Sequence, residues 1–566
     1  MSVNLCDTKY MGRTTLITNG LLVDGTGAPG YLADVVIDGD RIIAIGHNLA
    51  GDVVIDARGR VVAPGFIDIH THYDAQVFWD PALTPSCYHG VTTVVAGNCG
   101  FTIAPTRPAD RELIARTMEK VEDMDPATLN EGIAWEFESF PEYLQTVERH
   151  GSLLNFAAYI GHTALRIYAM GTEAVGRAAT SDEIRSMALL VTQAMEAGAA
   201  GFATSFAITH RGADGQPIPS RWAASEEIEA LCKAVGDSGR GVIGVNGGTN
   251  LSLADCYELQ PKVGAPITYT ALLTTSEGHH LKSLEVHLAG IAKGAEVWPQ
   301  VSCRPLAFSM TLVEPFTLNT SPVFAELMPL RLEERRAAYA SHEWRDRVRV
   351  GWQNKQGLVP RWDSYEIMEA SASPDLVGQR LTDIAGKSES DPFDLLLELA
   401  LCEPDLQLRV KAMLANDDAD GVAILLNAKG CTLGLSDAGA HIGQLCDAVL
   451  PTDLLGTWVR EKKVLTLEDA IHKLTQVQAD LFSFTDRGVL RVGAIADIVV
   501  FDAATVAPGP VRRIADFPAG GERLTADQPT GMHHLFVNGV EVQRDGQLVQ
   551  SALDSLPGRH VSPSKR

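Results

Sequence analysis

The sequence predicts an α/β fold: a TIM (β/α)8 barrel carrying a small β-sandwich built from both ends of the chain. Three observations predict it. Between residues 61 and 484, short apolar runs alternate with helical periodicity, the signature of βα units. Eight such runs can be counted, and eight right-handed βα units close into a barrel. Short strands separated by tight turns lie at the two ends instead, in residues 1–60 and 485–557, and neither set can close a core alone.

Taken in order, residues 15–18 read as a strand, Asn19-Gly20 as a tight turn, and 21–23 as the next strand. Residues 33–37 and 41–45 flank Asp38-Gly39-Asp40 as a hairpin. The eight barrel strands are expected at 62–69, 92–96, 154–160, 201–205, 241–245, 266–272, 295–300 and 431–435, with helices such as 181–197 and 224–238 between them. The stretch 302–428 is too long for an ordinary connection and reads as an insertion or lid over the barrel mouth. Strands at 496–502 and 534–542, the latter turning at Asn538-Gly539, complete the sandwich. Residues 558–566 are polar and basic and read as a disordered tail.

The chain has 566 residues, 45% hydrophobic and 21% charged, the composition of an ordinary globular protein. Its net charge of −24 argues against nucleic acid or an anionic membrane as partner, since both require basic patches. The nine cysteines are scattered with no CxxC pair, which argues against a disulfide framework and for a reducing compartment. No leader-like apolar core opens the sequence and no run reaches the length of a membrane span, so a cytoplasmic protein is expected. A homo-oligomer is compatible with all of this.

The chemistry centres on Val61-Val-Ala-Pro-Gly-Phe-Ile-Asp-Ile-His-Thr-His72. An apolar run, broken by Pro64-Gly65, ends in two histidines two residues apart. Side chains two apart on a strand share a face, so His70 and His72 project together from its carboxyl end. Two imidazoles converging there are natural ligands for a divalent metal. Pro64-Gly65-Phe66-Ile67-Asp68-Ile69-His70-Thr71-His72 resembles the first-strand motif of the amidohydrolase superfamily. Tyr73-Asp74-Ala75-Gln76 and Gly97-Asn98-Cys99-Gly100-Phe101 resemble its N-acyl-D-amino-acid deacylase (D-aminoacylase-like) branch, and the likeness extends over nearly the whole chain. The resemblance implies a metal-dependent hydrolase holding a divalent ion, zinc, as one ion or two, and acting on a small-molecule amide.

The other strand ends supply further candidates, because barrel chemistry sits there. Cys99 follows the second strand, and the resemblance makes it a metal ligand; a lone cysteine is otherwise commonly an inert core residue. After the third strand, His162 is a pocket candidate and Arg166 a fork for a substrate carboxylate, unless the arginine pairs with a structural acid. After the fourth, His210 and Arg221 are candidates for substrate binding. The fifth and sixth strands depart from the family pattern: neither ends in histidine, and the fourth lacks the lysine found in many binuclear members. Asn246 and Tyr269 occupy those ends as candidate substrate contacts, with His279 and His280 a little beyond. The departure favours one metal, or a rearranged ligand set. After the eighth strand, Asp437 matches the family's catalytic aspartate, often also a ligand; helix capping is the alternative role, and His441 is a second candidate in the same loop.

The expected reaction is hydrolysis of an amide C–N bond in an N-acyl (D-)amino acid or related amide, with Asp437 as proton shuttle. Two alternatives stand beside it: a cyclic amide, urea-type or carbamate substrate, and a non-catalytic barrel that has lost its metal.

Overall fold

The protein is described by a computed structural model over residues 13–212, 215–248, 250–275 and 277–566. Cys6 and the start of the expected first segment lie outside the described residues, as do Ala213 and Asp214 of the loop between His210 and Arg221.

Eight strands form one parallel sheet whose order follows the chain: β1 (Phe66–Asp68), β2 (Val91–Ala96), β3 (Asn155–Gly161), β4 (Gly201–Ser205), β5 (Val242–Asn246), β6 (Ile267–Thr270), β7 (Val297–Val301) and β8 (Thr432–Leu433). Every residue of β2, β3 and β4 is buried, as expected of parallel strands covered on both faces. The sheet curls until its two edges meet beyond the carboxyl ends. There Thr71 bridges Ala438, and the His72 N–H donates to the Ala438 carbonyl at 2.7 Å. Two of the helices between the strands begin on capping boxes, Thr180–Glu183 and Ser252–Asp255.

The expected first strand proves to be two. Val61–Pro64 pairs with Ile498–Phe501 in a separate sheet, and β1 begins after Gly65. A Cβ at Gly65 would come within 2.2 Å of the Thr92 side chain, so the crossing between sheets needs glycine. The separate sheet has nine strands drawn from both parts of the chain, among them Thr15–Leu22, Tyr31–Asp38, Arg41–Gly46, Met532–Val537 and Val540–Arg544. Asn19-Gly20 is not a turn: Thr15–Leu22 runs straight through it, with a register shift between Ile17 and Gly20 and Asn19 at φ 62°. The left-handed residue that suits a hairpin here makes a bulge instead. Asn538-Gly539 does turn the chain between Met532–Val537 and Val540–Arg544.

Residues 302–428 fold around a core of their own. Leu306–Met310, Glu366–Glu369 and Arg409–Ala415 make an antiparallel three-stranded sheet, and Phe324, Tyr339, Trp344, Trp352 and Phe393 cluster beside it. The expectation of a disordered tail is corrected. Phe156 N–H donates to the Arg559 carbonyl, Val561 N–H to the Phe156 carbonyl, and Val561 is buried. Backbone pairing and one apolar side chain hold down an end that composition alone reads as loose. Among the described residues no helix is long and apolar enough to cross a membrane.

Candidate metal centre

β1 stops at Asp68, whose carboxylate accepts the His70 N–H at 3.1 Å. Behind His70, Nδ1 lies 2.7 Å from Gln300 Oε1, an amide oxygen that can only accept. Nδ1 therefore carries a proton, and Nε2 is the atom turned to the site. Nε2 of His70 lies 3.0 Å from Asp437 Oδ1 and 3.7 Å from Cys99 Sγ. Nε2 of His72 lies 3.7 Å from the same Asp437 oxygen, while its Nδ1 faces Glu122 Oε1 at 3.1 Å. Ligand atoms of His70, His72 and Cys99 all fall within 4.8 Å of one another. Two imidazoles and a thiol thus converge, with the Asp437 carboxylate against both imidazoles.

The backbone at this point is constrained. Cys99 (φ 56°), Asp437 (φ 46°) and His441 (φ 48°) all adopt the left-handed conformation that non-glycine residues avoid. Glycine permits the neighbouring turns: a Cβ at Gly97 would sit 2.7 Å from the Tyr159 carbonyl oxygen, and one at Gly439 2.8 Å from that of His72.

The electrostatics are those of a site seeking positive charge. Burial pulls His70 down, but the charge and hydrogen bond of Asp437 outweigh it and hold the group up at about 10. Burial likewise works against protonated His72, and Glu122 above all reverses it, leaving His72 well above the ordinary histidine range. Burial pushes the Cys99 thiol up, yet hydrogen bonds from His70 and His72 bring it below its usual value. Asp437 is held far below the carboxylate range against burial by the same two imidazoles. Protons on the histidines occupy the place a cation would take.

Two other candidates border the cluster. Asn246 Nδ2 donates to Cys99 Sγ at 3.2 Å. His210 packs edge-on against Phe101 with its Nδ1 on Ser205 Oγ at 2.7 Å, and burial lowers it to about 3, so it is neutral. Half-buried Arg221 lies beside it, Nη1 3.4 Å from the His210 carbonyl oxygen. His441 is enclosed by Phe308 and Phe316 of the 302–428 segment, with ring centroids 5.2 and 5.3 Å away.

Three candidates are corrected. Arg166 is wholly buried, and its guanidinium is spent on Glu227 (2.7 and 2.5 Å) and the carbonyls of Ala174 and Arg177. His162 is buried on the same Glu227 at 2.9 Å and on Thr204 at 2.7 Å. Both lie on one helix (His162–Met170) and form a structural triad with Glu227, with no free donor for substrate. Tyr269 points away from the site because alternation along β6 gives the inward place to Thr270, whose Oγ1 lies 3.5 Å from His70 Nδ1. The Tyr269 ring packs under Gly247 instead. His279 is exposed and pairs with Glu277 outside the cluster.

Glu122, Gln300 and Thr270 are the residues sequence reasoning missed. Gln300 had a signal, a polar residue closing the apolar seventh run; Glu122, far from His72 in the chain, had none. A cavity of about 430 Å³ lies on the other side of Leu306–Met310, lined by Ala307 and Ser309 where Phe308 faces His441, and includes none of the cluster residues.

Known proteins resemble the chain over most of its length. The model of the amidohydrolase family matches residues 53–353 and 405–549. A D-aminoacylase of Alcaligenes xylosoxydans xylosoxydans is 28% identical over 542 residues, covering 94% of each chain. An N-acyl-D-glutamate deacylase of the same organism is 29% identical over 546 residues, covering 93% of each. The solved N-acyl-D-glutamate deacylase of Bordetella bronchiseptica, complexed with zinc and a phosphonate inhibitor, matches with TM-score 0.66 and 26% identity over 97% of this chain and all (100%) of its own. A D-aminoacylase structure described as having a binuclear metal centre, with one-metal activation and second-metal attenuation, matches with the same TM-score of 0.66 at 26% identity, covering 97% of this chain and 99% of that one.

Proposed function

This chain belongs to the amidohydrolase family, and we propose that it is a zinc-dependent hydrolase of the amide bond of an N-acyl D-amino acid. One observation carries the reading: ligand atoms of His70, His72 and Cys99 gather within 4.8 Å of one another, and Asp437 Oδ1 stands against Nε2 of both histidines. Two imidazoles, a thiolate and a carboxylate are a donor set suited to tetrahedral zinc. A single ion is favoured, because the next partners of Cys99 and His70 are the neutral Asn246 amide and Thr270 hydroxyl and not further imidazoles. A bound divalent ion supplies Lewis-acid polarisation of the scissile carbonyl and acidification of water.

The remaining work falls to the chain itself. Asp437 keeps 11% of its side chain exposed while Oδ1 faces both histidines, so the carboxylate can take a proton from water and return it to the leaving amine. Arg221, beside the mouth, receives the substrate carboxylate, and the Phe308–Phe316 wall offers an apolar surface to the acyl group or side chain. The eight-stranded sheet is read as a closed TIM barrel, the nine-stranded sheet as the sandwich of both chain ends, and residues 302–428 as a lid. Cytoplasmic residence is supported by the free state of Cys87, Cys99, Cys232, Cys256, Cys303, Cys402, Cys431 and Cys446.

The test is a substrate panel run on zinc-loaded protein: N-acyl D-amino acids, their L-enantiomers, and cyclic amides, ureas and carbamates. Preferred turnover of N-acyl D-amino acids supports the reading. Turnover confined to cyclic or urea-type compounds replaces it.

A further inference from the structure

We propose that Glu122 is a positioning residue of the metal centre, orienting His72 and setting its strength as a ligand from behind the ring. This rests on the metal reading of the cluster given above.

Glu122 is the last residue of α1 (Arg111–Glu122), in the connection between β2 and β3. Its side chain is 1% exposed. Oε1 lies 3.1 Å from His72 Nδ1, yet off the ring N–H direction, and neither carboxylate oxygen has an aligned donor among the described residues. A buried carboxylate is costly unless a cation faces it, and leucine or glutamine would fill the volume without the charge. Its place on the helix adds to the cost, because an anion in the last turn opposes the helix dipole. Packing alone therefore gives no reason for a carboxylate here.

The geometry gives one. The two nitrogens of an imidazole lie on opposite edges, and His72 presents Nε2 to Asp437. Glu122 on Nδ1 is thus behind the ligand and not beside it. The negative charge there favours a proton on Nδ1 and makes the other nitrogen more basic. His70 has a neutral amide, Gln300, in the equivalent place. The two histidines are therefore unequal, and His72 is the stronger donor. The helix end is also tied to the loop that carries Asp437: Ile442 N–H donates to the Glu122 carbonyl at 3.3 Å, and Gly443 N–H to Asp123 Oδ2 at 3.0 Å. Glu122 is held in register with the site by both.

Glu122→Gln and Glu122→Ala are to be compared with the parent after removal and readdition of metal. Zinc affinity is read by competition with a chromophoric chelator, the cobalt-substituted absorption spectrum reports ligand strength, and melting is followed on the metal-free forms. The expected result is a loss of zinc affinity of about 10- to 100-fold in both variants together with a shifted cobalt spectrum, the metal-free melts serving to show that both variants still fold. Affinity within twofold of the parent overturns the proposal. Weakened affinity with an unshifted cobalt spectrum assigns Glu122 to packing and also overturns it. A parent that takes up no zinc removes the metal reading itself, an outcome distinct from the other two.

Discussion

Asp437 Oδ1 lies 3.0 Å from His70 Nε2, although the two residues follow the last and first strands of the eight-stranded parallel sheet. The contact exists because the edges of that sheet meet at Thr71 and Ala438, and because Ser436 Oγ donates to the His70 carbonyl at 2.8 Å. The ligand set is in this sense a product of closure, and each member can be tested by itself.

Asp437→Asn should lower the turnover rate of zinc-loaded protein by roughly 10²- to 10⁴-fold, the usual worth of a positioned acid/base group. Asparagine accepts the left-handed conformation at φ 46°, so folding should survive. Steady-state kinetics with metal content measured alongside will decide. A rate within about twofold of the parent corresponds to under roughly 0.5 kcal/mol of barrier and would remove Asp437 from the reaction.

Cys99→Ser should weaken zinc retention while leaving melting of the metal-free protein close to the parent's. A hydroxyl nearly matches the thiol in size but is a far poorer zinc ligand. Equal zinc affinity in the two proteins would return Cys99 to the core.

Arg166→Met should be costly to the fold, by about 3–5 kcal/mol, because it leaves Glu227 a buried anion without its cation, held only by His162. Changing Glu227→Gln as well should recover part of that loss. Denaturant unfolding checks both. If Arg166→Met leaves stability intact and raises KM selectively for substrates bearing a carboxylate, the substrate-clamp role is restored.

These predictions mark what was legible in the sequence. His70 and His72 could be placed because an apolar run and a period of two fix both depth and direction. The eight parallel strands fall where apolar runs alternate with helices. Arg166 and His162 misled because strand-end reasoning cannot foresee that the next helix turns both onto Glu227, in a later helix. Tyr269 misled through register: a shift of one residue exchanges it with Thr270, and composition does not fix register. Glu122 comes from a helix within a long connection, and no local pattern ties it to His72.

The titration of His70 gives a signed pH dependence. Its folded value of about 10 exceeds the ordinary 6.5. In the metal-free protein its contribution to stability is fully present below about pH 6.5 and is lost as pH rises towards 10. Zinc must displace the Nε2 proton, so uptake should release protons and affinity should fall as pH is lowered. Zinc titration in weakly buffered solution with a pH indicator measures the release. Uptake with no proton release at neutral pH would contradict the assignment.

The central claim is the four-donor centre, and metal analysis of the purified protein beside a His70→Ala/His72→Ala double variant tests it most directly. The account predicts about one zinc per chain in the parent, under about 0.1 in the variant, and a variant that still folds. Full zinc content in the double variant, or two ions per chain in the parent, would contradict it.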